Sequence, residues 1–380
     1  MRGMRIVSRR RMSHQATTIH PHLSDAPITV IGGGMAGLAV TYHLLSQGRP
    51  PHSIQVFDKA PVGQGGASAV AGGLLHPLSP RGKLVYKGLE GLYETNLLLQ
   101  TTASAVVKDR LVRVATTESQ ARMLQTTAQT IPHICEWIAA DEMQRICPSE
   151  YGGLMLQNGC KVVDVPAYLK GLWNACEQLA QETNCQLTWT VTEHAAIDED
   201  DIIVYTAGSG LFQSNLLSAS TFPMQLVHGQ SLVLRNNNFQ DALLCGKYIS
   251  PLNDHSRLLV GSTHEFRDDL LSPEQVIQEL KERTSAVAPH LWEDPVVEKI
   301  TKGTRVQSER GTHGRLPIVG KLPGTKQHWV LTGLSSRGLL YHALYGKMLA
   351  KAILQGSEDC LNELDDGILW WKKKLEQLSR

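Results

Sequence analysis

Three glycines, Gly32, Gly34 and Gly37, stand in the spacing G-x-G-x-x-G directly after the apolar run Ile28–Ile31 and ahead of a helical pattern reaching Gln47. The chemistry this spacing serves is the grip on a pyrophosphate. The first glycine permits a tight turn, the second lets backbone N–H groups approach the phosphates, and the third lets the helix close on the strand. Met35 and Ala36 open that helix, whose N-terminus offers partial positive charge to an anion. Asp58 ends a second short strand, Ile54–Phe57, at the distance where a carboxylate accepts hydrogen bonds from a ribose diol. Lys59, next to it, either touches the same nucleoside or is solvated. A glycine turn that binds nothing is the bland alternative, and strand, helix and acid together weigh against it.

Two further segments bear on which dinucleotide fits. Gln64–Leu78 (QGGASAVAGGLLHPL) sets small residues where backbone lies flat against a bulky planar ligand. Trp329–Ala350 is a second strand–glycine–helix unit near the other end of the chain, aiming another helix N-terminus at the same ligand. A flavin held by sequence-distant segments explains both better than a nicotinamide does, so FAD is expected and a plain NAD-dependent dehydrogenase is the weakest alternative.

The elements that must position these residues are legible in outline. Strand, glycine turn, helix and strand make a βαβ unit from Pro27 onward. Helices are predicted over Leu84–Leu99, Glu118–Ala139 and, with Pro166 in its first turn, to about Thr183. Gly152–Pro166 reads as extended and turn-rich, Asp201–Thr206 as a buried strand. From Thr221 the runs MQLVHGQSLVL, LLCGKYISPL and SRLLVGST predict an antiparallel sheet. Ser272-Pro273-Glu274-Gln275 has the pattern of a capping box. The expected architecture is α/β: a Rossmann-like FAD-binding lobe with a parallel sheet and helices, drawn from residues 25–105, 155–220 and 305–360. An antiparallel-sheet substrate lobe takes 106–154 and 221–304, and a C-terminal helix 361–380.

At these residues the chain resembles the D-amino-acid oxidase-type FAD-dependent oxidoreductases, the family of glycine and sarcosine oxidases, over about Ile28 to Leu354. GGASAVAGGLLHPL, GGLMLQNGCKVVDVPAYLKGLW, VHGQ, KYISPL, LLVGSTHEF, GRLPIVG and GLSSRGL are similar to the oxidase domain of the bacterial enzymes that make 5-methylaminomethyl-2-thiouridine in tRNA. The resemblance implies that Gly66, Ala67, Ser68, Gly73 and Leu74 lie along the flavin and its phosphates. Ala207 and Gly208 would approach the nucleotide end, Val191 would offer backbone contacts to the adenine, and Arg337, Gly338 and Leu339 would lie near the flavin ring. Tight packing alone is the alternative for the Ala/Gly pairs. Gly303-Thr304-Arg305 ahead of Pro317-Ile318-Val319-Gly320 matches the family's carboxylate-binding arginine, a role suited to a planar guanidinium. Arg310 and Arg315 are neighbouring substitutes, and a surface arginine is the bland reading. Tyr248 matches a pocket-lining position, or is a packed strand tyrosine. His76 either tunes the flavin or holds a substrate group, against the commoner structural histidine. His228, His264 and His342 carry no catalytic expectation.

The reaction implied is hydride transfer from the carbon bearing a neutral amine or (secondary) amino-acid nitrogen to the flavin, with oxygen or another acceptor downstream. The alternatives are oxidative trimming of a modified tRNA wobble uridine and a low-turnover flavin-binding assembly factor. Net charge is +1 over 380 residues, which gives tRNA no support. Composition, 42% hydrophobic and 19% charged, is that of a globular protein, and no apolar run approaches the roughly 18–20 residues of a membrane span. The seven cysteines are scattered, without metal spacing, and read as reduced intracellular thiols. No metal is expected. Residues 1–24 are Arg- and Ser-rich and acid-free, predicting a plastid or mitochondrial transit peptide. A disordered tail or a start at Met12, with a cytoplasmic protein, is the alternative.

Overall fold

The computed structural model describes residues 27–48, 50–193, 195, 201–213, 222–235, 239–266, 269–311, 313–362 and 367–378. The segment read as a transit peptide lies outside them. The first third of the chain forms β1 (Ile28–Ile31), α1 (Met35–Ser46), β2 (Ser53–Asp58), β3 (Leu74–Leu75), α2 (Gly88–Gln100), β4 (Val106–Lys108), β5 (Leu111–Val114) and α3 (Glu118–Thr130). The middle adds β6 (Cys135–Ile138), α4 (Ala140–Met143), β7 (Gly153–Leu156), β8 (Lys161–Val163), α5 (Val165–Glu182), β9 (Gln186–Val191), β10 (Ile202–Tyr205) and α6 (Gly210–Gln213). The remainder is β11 (Met224–Arg235), β12 (Leu243–Leu244), β13 (Tyr248–Pro251), β14 (Arg257–Gly261), α7 (Pro273–Thr284), β15 (Val297–Ser308), β16 (Ile318–Lys321), β17 (His328–Thr332), α8 (Gly338–Gln355), α9 (Asp359–Asn362) and α10 (Trp370–Leu378).

Six strands form a sheet in the order β16-β17-β10-β1-β2-β9. All its pairings are parallel except β16 with β17. Its central strands β1 and β10 are buried along their whole length because they are covered on both faces, whereas the edge strand β9 is largely exposed. Ile28, Val30, Ile202, Val204, Trp329 and Leu331 pack into the core that holds α1, α5 and α8. The alternate residues Ile31, Ile203, Tyr205 and Val330 join Phe212, Phe222 and Trp371 in another. Small residues let α1 and α8 approach closely: a Cβ on Gly346 would lie 2.8 Å from that of Ala39.

The second sheet has eight strands in the order β15-β11-β14-β13-β12-β5-β7-β6. It is antiparallel except where β5 runs parallel to β12. Val112, Val114, Leu232, Leu234, Ile249 and Val260 pack with Val276 and Leu280 of α7 beneath it. Strand alternation then puts Arg113, Ser231, Tyr248 and Gly261 on the opposite face. One rung of partners crosses six strands: Arg113, Leu244, Tyr248, Gly261, Ser231, Thr301. A third sheet, β3-β8-β4, was not expected from the sequence. β15 is one strand running through the boundary placed between residues 304 and 305.

Two predicted helices are corrected. The helix expected from Leu84 begins at Gly88, because Leu84 bridges back to Leu78 and Lys87 takes a left-handed φ of 51°. The helix expected over Glu118–Ala139 ends at Thr130; Pro132 has no N–H to continue it, and Cys135–Ile138 pairs instead with β7. The capping box at Ser272 forms with both its bonds, and Asp164 caps α5 through the Ala167 amide. No described helix is long and apolar enough to cross a membrane.

His342, in the second turn of α8, is fully buried. Its Nδ1 lies 3.1 Å from the carbonyls of Gly338 and Leu339 and must donate to them, so Nε2 accepts from the Tyr168 hydroxyl at 2.6 Å. Burial holds the imidazole neutral, down to about 4. The unfolded chain, with an ordinary histidine near 6.5, binds the extra proton first as pH falls. Stability at this site is therefore complete at neutral pH and lost progressively from about pH 6.5 to about pH 4, by roughly 3 kcal/mol. Thermal unfolding between pH 7 and 4 is expected to fall less steeply in His342→Gln than in the native protein. Equal slopes would assign the acid sensitivity elsewhere.

Candidate active site

The carboxyl ends of the parallel strands β1, β2, β9, β10 and β17 open onto a cavity of about 1160 Å³, whose far wall is the rung-bearing face of the eight-stranded sheet. Ligands of open parallel sheets bind at this edge.

One end is built by the glycine turn. Gly32, Gly34, Met35 and Ala36 line it. Gly32 has φ +103°, and a Cβ there would lie 2.3 Å from Ala207 Cα, so the turn is pressed against the end of β10. Gly37 does not line the cavity. Its hydrogen faces the Gly32 carbonyl, where a Cβ would stand at 1.9 Å, which is the close helix–strand packing predicted for the third glycine. Thr206 reinforces the turn by donating to the same carbonyl at 2.7 Å. Asp58 accepts from the Gly33 amide at 2.7 Å and the Ala60 amide at 2.9 Å, which fixes its carboxylate on the turn with lone pairs to spare. Lys59, Ala207 and Gly208 lie at the same end. Val191, expected to offer backbone contacts to the adenine, is 54% exposed and does not line the cavity, which the chain reaches just after it at Thr192, Glu193 and Ala195.

The middle is the small-residue segment. Gly66, Ala67, Ser68, Gly73 and Leu74 line it. Ser68 Oγ accepts from the Met35 amide at 3.2 Å, tying this segment to the start of α1. Gly73 has φ +70°, and a Cβ would meet the Val163 carbonyl at 1.9 Å. His76 also lines the cavity, and its Nδ1 accepts from the Leu78 amide at 3.2 Å, leaving Nε2 as the N–H. Burial and the charges of Arg113 and Arg337 keep this imidazole neutral.

At the other end stand Arg305 on β15, Tyr248 on β13, and Arg337, Gly338 and Leu339 where α8 begins. The Tyr248 ring lies against the Gly72 backbone, 2.8 Å from where a Cβ would be, and its hydroxyl is 3.1 Å from Ser231 Oγ. Arg305 donates to His264 Nδ1 at 3.0 Å. Arg315 instead donates to the Ser308 carbonyl, and neither it nor the exposed Arg310 lines the cavity. Among the lining residues not anticipated as part of the site are His264, Ser231 and Arg113. Burial and Arg305 hold His264 below its ordinary range, so it is an acceptor for the guanidinium. The lining carboxylates are Asp58, which ends β2, and Glu193, which follows β9, both at the nucleotide end.

An elongated, glycine-walled cavity with a helix N-terminus at one end and cations at the other fits a dinucleotide carrying a planar ring. The family model described as DAO, FAD dependent oxidoreductase, matches residues 27–352. The chain belongs to that family. FAD is thus the cofactor, and the residues just described suit it: the α1 turn for the pyrophosphate, Asp58 for the ribose, the Gly66–Leu74 segment and the start of α8 for the ring. Among curated DAO-family relatives, the chain is 23% identical to the bifunctional tRNA 5-methylaminomethyl-2-thiouridine biosynthesis protein MnmC of Marinobacter nauticus, over 90% of this chain. It spans only 57% of that protein's length. It is 25% identical to the glycine oxidase of Geobacillus kaustophilus, covering 86% of this chain and 92% of the relative. The fold matches the crystal structure of a glycine oxidase from the same organism with a TM-score of 0.70 at 23% identity, covering 88% of this chain and 96% of that one. It also matches iminodiacetate oxidase from Chelativorans sp. BNC1 with a TM-score of 0.67 at 18% identity, over 87% and 95%.

Proposed function

We propose that this DAO-family oxidoreductase oxidises the C–N bond of an amine or secondary amino acid. The observation that carries this reading is Arg305, held by His264 beside Tyr248 at the end of the cavity away from the glycine turn. A guanidinium there pairs with a substrate carboxylate through two parallel bonds and fixes which C–H faces the cofactor. Bound FAD supplies the hydride acceptor. Tyr248, kept protonated by burial, offers a hydroxyl beside the substrate. No described lining residue at this end is a carboxylate, so the amine enters neutral and its carbon gives up hydride without a side-chain base. The nitrogen's proton leaves to water, the imine hydrolyses, and the electron pair passes on to oxygen or another acceptor. Relatives named for glycine and iminodiacetate oxidation support the substrate class.

The test is anaerobic mixing of the purified flavoprotein with glycine, sarcosine, proline and simple amines. Bleaching of the flavin by at least one carboxylated amine is expected. A flavin that dithionite reduces but no amine does would favour the low-turnover assembly factor. A second reading, trimming of a modified wobble uridine, is favoured by the MnmC relationship. It requires that undermodified tRNA, and no free amino acid, bleaches the flavin, with binding steeply dependent on salt.

A further inference from the structure

We infer that Arg113, with Arg337 and His76 beside it, forms a second anion subsite in the same cavity, and that the substrate is a secondary amine bearing two oxyanionic groups. The substrate class rests on the proposed amine oxidation; the subsite itself does not.

Arg113 sits in the middle of β5, between Val112 and Val114, whose side chains enter the core beneath the sheet. Alternation therefore drives the arginine through to the cavity face, where it is only 8% exposed. There it makes a single hydrogen bond, NH1 to the Pro80 carbonyl at 3.3 Å, and its Nε is buried without a partner. No described carboxylate pairs with it. A guanidinium offers five donors, and one this deeply buried is costly unless an anion meets it. Burial, and after it the neighbouring charge of Arg337, depresses Arg113 to about 10.

The cations of this end outside the subsite do not share that predicament. Lys247 is neutralised by Glu279 at 2.6 Å, and Arg305 has His264 as acceptor and the field of Glu265. FAD's phosphates belong at the opposite end, against α1. Arg113 lies on the same rung as Tyr248, two strands away, or about 10 Å between Cα atoms. An anion held by Arg113 and Arg337, with the His76 Nε2–H as a neutral donor, therefore lies on the other side of Tyr248 from one held by Arg305. Monocarboxylic amines fill only one of the two positions.

The holoprotein is titrated calorimetrically with acetate, succinate, glutarate and 3-phosphonopropionate, none of which is an amine, so the result is independent of whether amines bleach the flavin. The dianions are expected to bind about 10- to 100-fold more tightly than acetate. Arg113→Met is expected to erase that advantage and leave acetate binding unchanged, while Arg113→Lys keeps part of it. The ratio of succinate to phosphonopropionate tells carboxylate from phosphate-type ligands. Ligand-free Arg113→Met should melt no lower than the native protein, since an unpaired buried charge is gone. Equal binding of acetate and dianions, or a dianion advantage that survives Arg113→Met, overturns the inference. So does a variant whose only change is a shifted flavin potential, which would make Arg113 a partner of the cofactor.

Discussion

Gly32→Ala is expected to leave the protein without flavin. The residue has φ +103°, where a side chain is strained by roughly 1–3 kcal/mol. Its new methyl would stand 2.3 Å from Ala207 Cα and 2.4 Å from Ala207 N, backbone atoms that yield only if β1 and β10 separate, at a further cost of about 1–3 kcal/mol. Either the turn opens, and its amides lose their aim at the pyrophosphate, or the parallel sheet loses its central register. Either outcome is expected to abolish visible flavin absorbance in the purified protein. Gly48→Ala is the control, because nothing lies within 4 Å of its added methyl and it should purify yellow. A yellow Gly32→Ala protein with native affinity for FAD would show that the turn does not hold the phosphates.

The second large effect is expected at Arg305. On the proposed reading, Arg305→Met removes the partner of the substrate carboxylate, which costs about 2–5 kcal/mol, or roughly 30- to 5000-fold in the substrate concentration needed to bleach the flavin. FAD itself should remain bound, since Arg305 lies on β15 of the eight-stranded sheet and the phosphate turn on β1 of the other. Arg305→Lys should recover little, because an ammonium lacks the paired fork and the reach to His264. Amines without a carboxylate should be indifferent to either change. Stopped-flow reduction across a substrate series separates these outcomes. Native bleaching of the Arg305→Met flavin by sarcosine or proline would remove this arginine from the pocket's chemistry.

The nucleotide half of the site was legible in the sequence because its signals are local. Strand, glycine spacing, helix and Asp58 fall within thirty-odd positions, and each constrains backbone more than side chain, so pattern translates directly into geometry. The α8 unit was legible for the same reason. Val191, expected to meet the adenine through its backbone, falls just short: β9 ends there, and Thr192 and Glu193 after it line the cavity. Side-chain direction is a different matter. Arg113 in LVRV looks like the solvated member of an alternating strand; only the second sheet's position over the cavity reveals that this face is dry. His264 was passed over because its importance comes from Arg305, 41 residues away. At Glu118–Ala139 the helical periodicity outweighed Pro132, which ended the helix.

The strand order of the six-stranded sheet has one more implication, for biosynthesis. β10, from mid-chain, lies between β1 near the start and β17 near the end, and α8 supplies the last wall. A nascent polypeptide paused before Gly333 has the phosphate turn but no lid over the place where the ring settles. Prosthetic-group capture must therefore wait until α8 has been made, and any truncation upstream of α8 should release a colourless, protease-sensitive product rather than a weak enzyme.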